Sequence, residues 1–471
     1  MADLKLARIV ADEAVRAKED LERMGMRYAR NADGSYMGYR ACFSKKARSH
    51  VVENHFKPVV KALREEAAKR RLRAINGVTI SNLVVQNGEC AGAIGIQDGN
   101  LLAVQCPSVV IACGGGSALF AHNMYPADVT GDGYAMARRA GARMSNMEFV
   151  QAGIGLAWPV VNLFGNQLWE AVPRITNGKQ EPFIFRYTGG CCTEEDAIAA
   201  KGGHFPFSVR DISRYVEIAV QQEITNGTPT ERGNVYLDFL EVDFDRLFAR
   251  ENSQLKSMWP LTYKRFKELG ADLYREKIEI ACFAHAVNGG VRIDENGESS
   301  IPGVYAAGEA ASGPHGADRL GGNMSVTCQV FGRRAGEAAA RRAAGRRTPI
   351  LSEKAVRQER DYLAGFGRIS GERAEELLRR LKKESDAALL IVRNGPALES
   401  YLETLSGMEE ELRTGADAET VGIEKRLELQ NLIDTGRMIA ESALARKESR
   451  GSHYRIDYPS MDPAYGQMMV I

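Results

Sequence analysis

Residues able to do chemistry concentrate between His285 and Ser325. His285 stands just ahead of a glycine pair, Gly289 and Gly290. A short apolar run from Gly303 to Ala307 reads as a strand, and Glu309 follows it at once. A glycine-studded loop from Gly313 to Gly322 carries a single arginine, Arg319, and opens into a long alanine-rich helix. Strand, acid, glycine-rich turn and helix in this order form the edge of a cofactor site. Amides at the helix start can face a phosphate or a carbonyl, and the strand-end carboxylate can face a ribose hydroxyl. A second glycine cluster, Gly114 to Gly116, ends the apolar strand Val109 to Ala112, at a turn where side chains would obstruct a close ligand. Taken one at a time, these residues have plainer uses. His285 would be a satisfied core histidine, Arg319 a partner for a cofactor phosphate, and Glu309 an ordinary helix-start carboxylate.

Three segments in order, HAVNGG, VYAAGEA and HGADRLGGN, resemble the C-terminal flavin-binding portion of the fumarate reductase/succinate dehydrogenase flavoproteins. That family also includes L-aspartate oxidases and related 2-enoate reductases. The resemblance implies FAD as cofactor, contacted by Gly114, Gly115, Gly116, Asp132, Glu309, Arg319, Met324 and Ser325. It also implies hydride transfer between flavin N5 and a carbon next to a carboxylate. Three residues receive catalytic roles from it. Arg319 matches the carboxylate-binding arginine, whose planar fork suits bidentate contact. His285 matches a substrate-binding histidine. Arg210, in FSVRDISR, matches the proton donor of alkene reduction and acceptor of the reverse reaction. A guanidinium is normally too basic to act as an acid, so that role needs a closed, desolvated site with other cations nearby. By itself, Arg210 would pair with local acids. His204 lies in an unmatched stretch, and His315 shapes the HGADR loop.

Two departures bear on function. Dicarboxylate members carry Q-[FY]-H-P-T-G after a Met-Glu-Phe segment; here Met147, Glu148 and Phe149 are kept, but the histidine position falls on Gly153. Losing a buried polar anchor for a second carboxylate makes a bulkier or mono-carboxylate enoate the expected substrate, in place of fumarate or succinate. Trp158, Phe164 and Trp169 are candidates to line its pocket or to form the core of the surrounding domain. Secondly, no G-x-G-x-x-G follows a strand anywhere. The first βαβ unit of a dinucleotide fold is therefore expected to be missing, through N-terminal shortening or supply by another polypeptide. Two other readings stay open. The chain could be a non-catalytic fragment or subunit of a larger redox complex, or an adenylylsulfate reductase-like flavoprotein, since that branch also lacks H-P-T-G.

The elements that must position these residues follow from periodicity. In a chain of 471 residues, 62 Lys+Arg nearly cancel 61 Asp+Glu, so no global field favours nucleic acid or an anionic membrane. The N-terminus alternates charge and reads as no signal peptide, and the uncharged run Gln151 to Trp169 reads as a buried loop, not a membrane span. A cytoplasmic protein is expected, membrane-associated only through partners. Eight cysteines form no C-x-x-C pair, so an iron–sulfur or haem centre would belong to an electron-transfer partner subunit. Helices are expected over Asp3 to Met24, His50 to Arg71 (with Val51, Phe56, Val59, Val60 and Leu63 inward and His50 and His55 at its start) and Tyr134 to Ala142. Another is expected over Asp211 to Gln222, capped by Asp211. Strands at Val78 to Val85, Cys90 to Ile96 and Leu101 to Cys106, broken by Asn87-Gly88 and Asp98-Gly99, make a β-meander. The fold class is α/β with an α+β capping domain. Residues 1–150 and 285–346 form a discontinuous, incomplete Rossmann-like FAD-binding domain, 151–284 an inserted capping and substrate domain, and 347–471 a C-terminal helical domain.

Overall fold

The structure is a computed structural model that describes residues 1–53, 57–163, 165–251 and 253–471. His55, Phe56 and Phe164 lie outside the described residues. The chain opens with the helix Leu4–Arg23, capped by the Asp3 carboxylate, which accepts the Lys5 and Leu6 amides. Its buried face, Leu6, Val10, Ala17 and Leu21, has the spacing read from sequence. The helix lies along the long helix Asn323–Ala344, with Glu13 bonded to both Arg333 and Arg334. The second helix is described over Lys57–Lys69. His50 is not at its start: it sits in the two-residue strand Ser49–His50, which pairs its backbone with Gly38–Tyr39, and its ring stacks on Tyr36 at 4.7 Å.

The meander forms as expected, from Val78–Gln86, Glu89–Gln97 and Asn100–Gln105. Asn87 and Gly88, like Asp98 and Gly99, all take positive φ, the requirement of a two-residue hairpin turn whose twist matches its strands. Next comes Val109–Ile111, which pairs in parallel with Val304–Ala306. The first strand leads into Gly114–Gly116 and the second into Glu309, so the glycine turn and the acid meet at one sheet end.

The segment Gln151 to Trp169 differs from the expected loop. Val150–Trp158 is a strand, paired antiparallel with Ile278–Val287 in a four-stranded sheet completed by Val235–Asp238 and Arg174–Thr176. The strand is buried for most of its length, and its glycines sit where neighbours press close. A Cβ on Gly155 would stand 2.1 Å from the Met124 methyl. Such a strand shows no polar alternation, which is why periodicity hides it. The helix after Arg210 is Arg214–Asn226, and Asp211 does not cap it. Asp211 accepts the Ser213 amide instead and turns its other oxygen to His204.

The C-terminal part is helical, over Glu353–Ala364, Gly371–Leu389, Gly395–Thr414 and Ile423–Ala445, the first three capped by Ser352, Ser370 and Asn394. The last helix braces the cofactor edge. Its Asn431 donates to Asp132 at 2.7 Å, and its Asp434 pairs with Arg139 at 2.6 Å. The run beyond it is pinned by a fully buried ionic network. Arg446 donates to Glu148 (2.6 Å) and Glu448 (2.8 Å), while Arg393 meets the Glu148 carbonyl and His453. This network ties the MEF segment to the chain's end.

Candidate active site

His285 owes its position to a fault in a strand. In Ile278–Val287, Ala284 pairs with Ala152 and Ala286 with Gln151, so His285 is the extra, unpaired residue of a β-bulge. A bulge re-aims the side chain, and His285 is half-buried where its strand neighbours are fully buried. Its ring meets Phe205 edge-on at 5.3 Å. Burial, reinforced by the Arg319 guanidinium, lowers its pKa to about 4, so the imidazole is neutral at ordinary pH.

Arg319 sits in the loop ahead of the helix Asn323–Ala344 and is only 6% exposed. Its Nε is buried with no hydrogen-bond partner among the described residues. Desolvation lowers its pKa, against the opposing fields of Tyr125 and Glu309. A buried guanidinium with an open donor calls for an anion. Arg210 arrives from the segment before Arg214–Asn226, 47% exposed, and donates to Asp318 Oδ2 at 2.8 Å. Its guanidinium lies over the Phe43 ring at 4.4 Å. Ser208 donates to the same Asp318 oxygen at 2.9 Å, while Oδ1 is buried without a partner among the described residues. Because Asp318 adjoins Arg319, the structure brings Arg210, His285 and Arg319 to one region from three distant parts of the chain.

His204 and His315 lie at its margins. His204 is buried, with Nδ1 2.7 Å from the Pro206 carbonyl and Nε2 3.0 Å from Asp211. His315, its pKa lowered to about 3 by burial and by Arg319, has Thr327 as its contact. Trp169 is packed in the core and Trp158 lies under Arg232 at 4.7 Å, so neither stands with the three residues. Phe205, Asp318 and Tyr125 carried no signal of their own in the sequence. Only Asp318 was within reach, as part of HGADR.

The second half of the site is the glycine cradle. A Cβ on Gly115 would stand 2.3 Å from Glu309 Oε1, and one on Gly116 2.8 Å from the Thr435 methyl. Gly114 takes φ +83°. Glu309, expected to face a ribose hydroxyl, turns inward on the short 3-10 turn Gly308–Ala310. There it accepts the Val287 amide (2.9 Å) and the Tyr125 hydroxyl (2.7 Å), and burial pushes its carboxyl up. Asp132 is held by Thr130 and Asn431. The helix Asn323–Ala344 starts at Gly322 with no side-chain cap, so its first-turn amides, beside Met324 and Ser325, keep their positive end for a ligand.

Comparison with known proteins gives this arrangement its setting. A family model described as an FAD binding domain matches residues 1–325, and one described as the fumarate reductase flavoprotein C-terminus matches residues 378–466. A fumarate reductase (CoM/CoB) polypeptide of Methanothermobacter marburgensis is 31% identical, over 100% of this chain and 83% of its own length. The chain belongs to the fumarate reductase/succinate dehydrogenase flavoprotein family. It is accordingly an FAD-dependent oxidoreductase. Sdh1 of Mycobacterium smegmatis, solved in complex with UQ1, superposes with a TM-score of 0.81 at 26% identity, over 98% of this chain and 77% of that one. Adenylylsulfate reductase from Archaeoglobus fulgidus shares the fold alone, with a TM-score of 0.71 at 18% identity, over 100% and 82%.

The residues present fit the cofactor of this family. The glycines of the turn Gly114–Gly116 let Glu309 and Thr435 approach the backbone closely, the uncapped helix start offers amides to oxygens, and Tyr125 and Glu309 brace the floor. Among the described residues, no group of His, Cys, Asp or Glu is placed to hold a metal ion, and no helix is long and apolar enough to cross a membrane.

Proposed function

We propose that this flavoprotein reduces, or in the reverse direction forms, a carbon–carbon double bond next to a carboxylate, on a substrate other than fumarate. FAD, when bound, supplies the two-electron chemistry. The chain's own residues do the rest. Arg319 holds the carboxylate, and its buried, unpartnered Nε is the single observation that carries the reading. His285, neutral because of burial and its cationic neighbour, donates a hydrogen bond to the substrate without adding charge. Arg210 moves the proton at the carbon opposite the hydride. A seated substrate strips water from its guanidinium, and Arg319 nearby supplies the like charge that makes a proton easier to lose. Asp318 orients Arg210 through the 2.8 Å bond. The substrate lacks a second carboxylate because Gly153 offers nothing to bind one. On the same reading, residues 1–150 and 285–346 hold the cofactor, 151–284 cap the substrate and 347–471 brace both. Electrons pass to or from a separate partner carrying an iron–sulfur or haem centre.

The test is Arg210→Gln beside Arg210→Lys, with flavin content read from the absorption spectrum and turnover measured on a panel of enoates and adenylylsulfate. Arg210→Gln should retain FAD and lose turnover by about 10²–10⁴-fold, the range for removal of a general acid. Unchanged enoate turnover in that variant removes Arg210 from the reaction. Turnover of adenylylsulfate and of no enoate would move the protein to the sulfur branch.

A further inference from the structure

Gly153 is more than the loss of a polar anchor, because something definite fills the space above it. A Cβ built there would stand 2.7 Å from the Phe205 carbonyl oxygen and 3.0–3.1 Å from two carbons of its ring. A side chain at position 153 therefore meets backbone before it reaches the site. The segment pressing on it is clamped from several sides. Gly153 bridges Pro206, the Phe207 amide donates to the Ala152 carbonyl at 2.6 Å, and the Phe205 amide points at Cys42 Sγ at 3.3 Å. His204 meets the Pro206 carbonyl at 2.7 Å.

The Phe205 carbonyl accepts from Lys201 Nζ at 2.8 Å. Lys201 is itself buried and paired with buried Glu217, so this cation is consumed in holding the segment and is not offered to a ligand. What the clamp presents is a phenyl ring, half-buried and edge-on to His285. The region thus joins two unlike surfaces, the Arg319 and Arg210 guanidinium groups and an aromatic wall over a glycine, with His285 touching the ring and lying in the field of Arg319.

We infer that Phe205 is the specificity-determining residue, and that the part of the substrate remote from its carboxylate is an apolar alkyl or aryl group packed on that ring. The inference rests on the enoate reading above and narrows it to β-alkyl- or β-aryl-substituted acrylates. A carboxylate seated against Phe205 would be desolvated without a partner, whereas a hydrocarbon group gains ring contact and burial.

The test uses the purified flavoprotein and two saturated acids, 3-phenylpropanoate and succinate, with dissociation constants read from perturbation of the flavin spectrum. β-Phenylacrylate and fumarate serve as the matching turnover pair. The wild type should bind 3-phenylpropanoate at least about tenfold more tightly than succinate, and Phe205→Ala should shrink that ratio about tenfold. Phe205→Leu, which keeps an apolar wall, should restore most of it and separates recognition from misfolding. A ratio unmoved by Phe205→Ala, or a wild-type preference for succinate, overturns the inference. The two readings fail differently. Enoate turnover without dependence on Phe205 sinks the specificity assignment alone. Phe205-dependent binding with no turnover of any enoate sinks the assigned reaction and leaves the apolar subsite standing.

Discussion

The cradle makes a sharp prediction at Gly115. Its φ is not positive, so alanine fits the backbone there, and the whole cost of Gly115→Ala must come from contact. The new methyl would lie 2.3 Å from Glu309 Oε1 and 2.7 Å from its Cδ, about 1 Å inside ordinary van der Waals contact. Glu309 cannot swing away cheaply, because the Val287 amide and the Tyr125 hydroxyl both hold it. Overpacking costs about 1–3 kcal/mol, and losing or stretching a bond to the carboxyl adds about 1–3 kcal/mol, for roughly 2–6 kcal/mol in all. Gly114→Ala is the control: its nearest neighbour is a Val129 methyl at 3.6 Å, so it meets only the left-handed backbone penalty, about 1–2 kcal/mol. Urea-unfolding midpoints, with FAD retained per chain measured in parallel, compare the two. Gly115→Ala should be the less stable variant and the poorer FAD binder. If Gly115→Ala matches wild type in both, Glu309 does not floor the cradle and the site assignment falls.

Two further predictions concern charge. The folded pKa of His285, about 4, lies below its ordinary 6.5, so between these values the unfolded chain holds more protons and acid favours unfolding. The effect is absent above pH 6.5 and grows until pH 4. Lowering the pH from 7 to 4.5 should therefore cost wild type about 2–3 kcal/mol more than His285→Gln, read from unfolding midpoints at the two values. Parallel behaviour of the two proteins would show that the imidazole is not desolvated. In the C-terminal network, Arg446→Met strands the Glu148 carboxylate in the interior, while Glu448 keeps Arg450, and calorimetry or urea unfolding should show a loss of about 3–5 kcal/mol. A variant within about 1 kcal/mol of wild type would mean that solvent reaches the pair.

What the amino-acid order determined by itself is what short-range chemistry can carry. Asn87-Gly88 and Asp98-Gly99 set the meander because few other residue pairs accept two positive φ values in succession. Asp3 and Ser352 start helices by bonding amides two or three residues away. The strand, acid, glycine loop and helix around Glu309 and Arg319 were visible because each is contiguous. Tertiary structure alone decided which distant groups meet. It placed Asp318 against Arg210, across 108 residues, and seated the Phe205 ring over Gly153. It turned Asp211 from an expected cap into a partner for His204, made a strand of Val150–Trp158 and withdrew Trp169 into the core. None of these choices leaves a local trace, since a glycine in a buried strand and a glycine in a loop read alike. What separates them is the neighbour that occupies the missing Cβ's space, and that neighbour is chosen only when the sheets close.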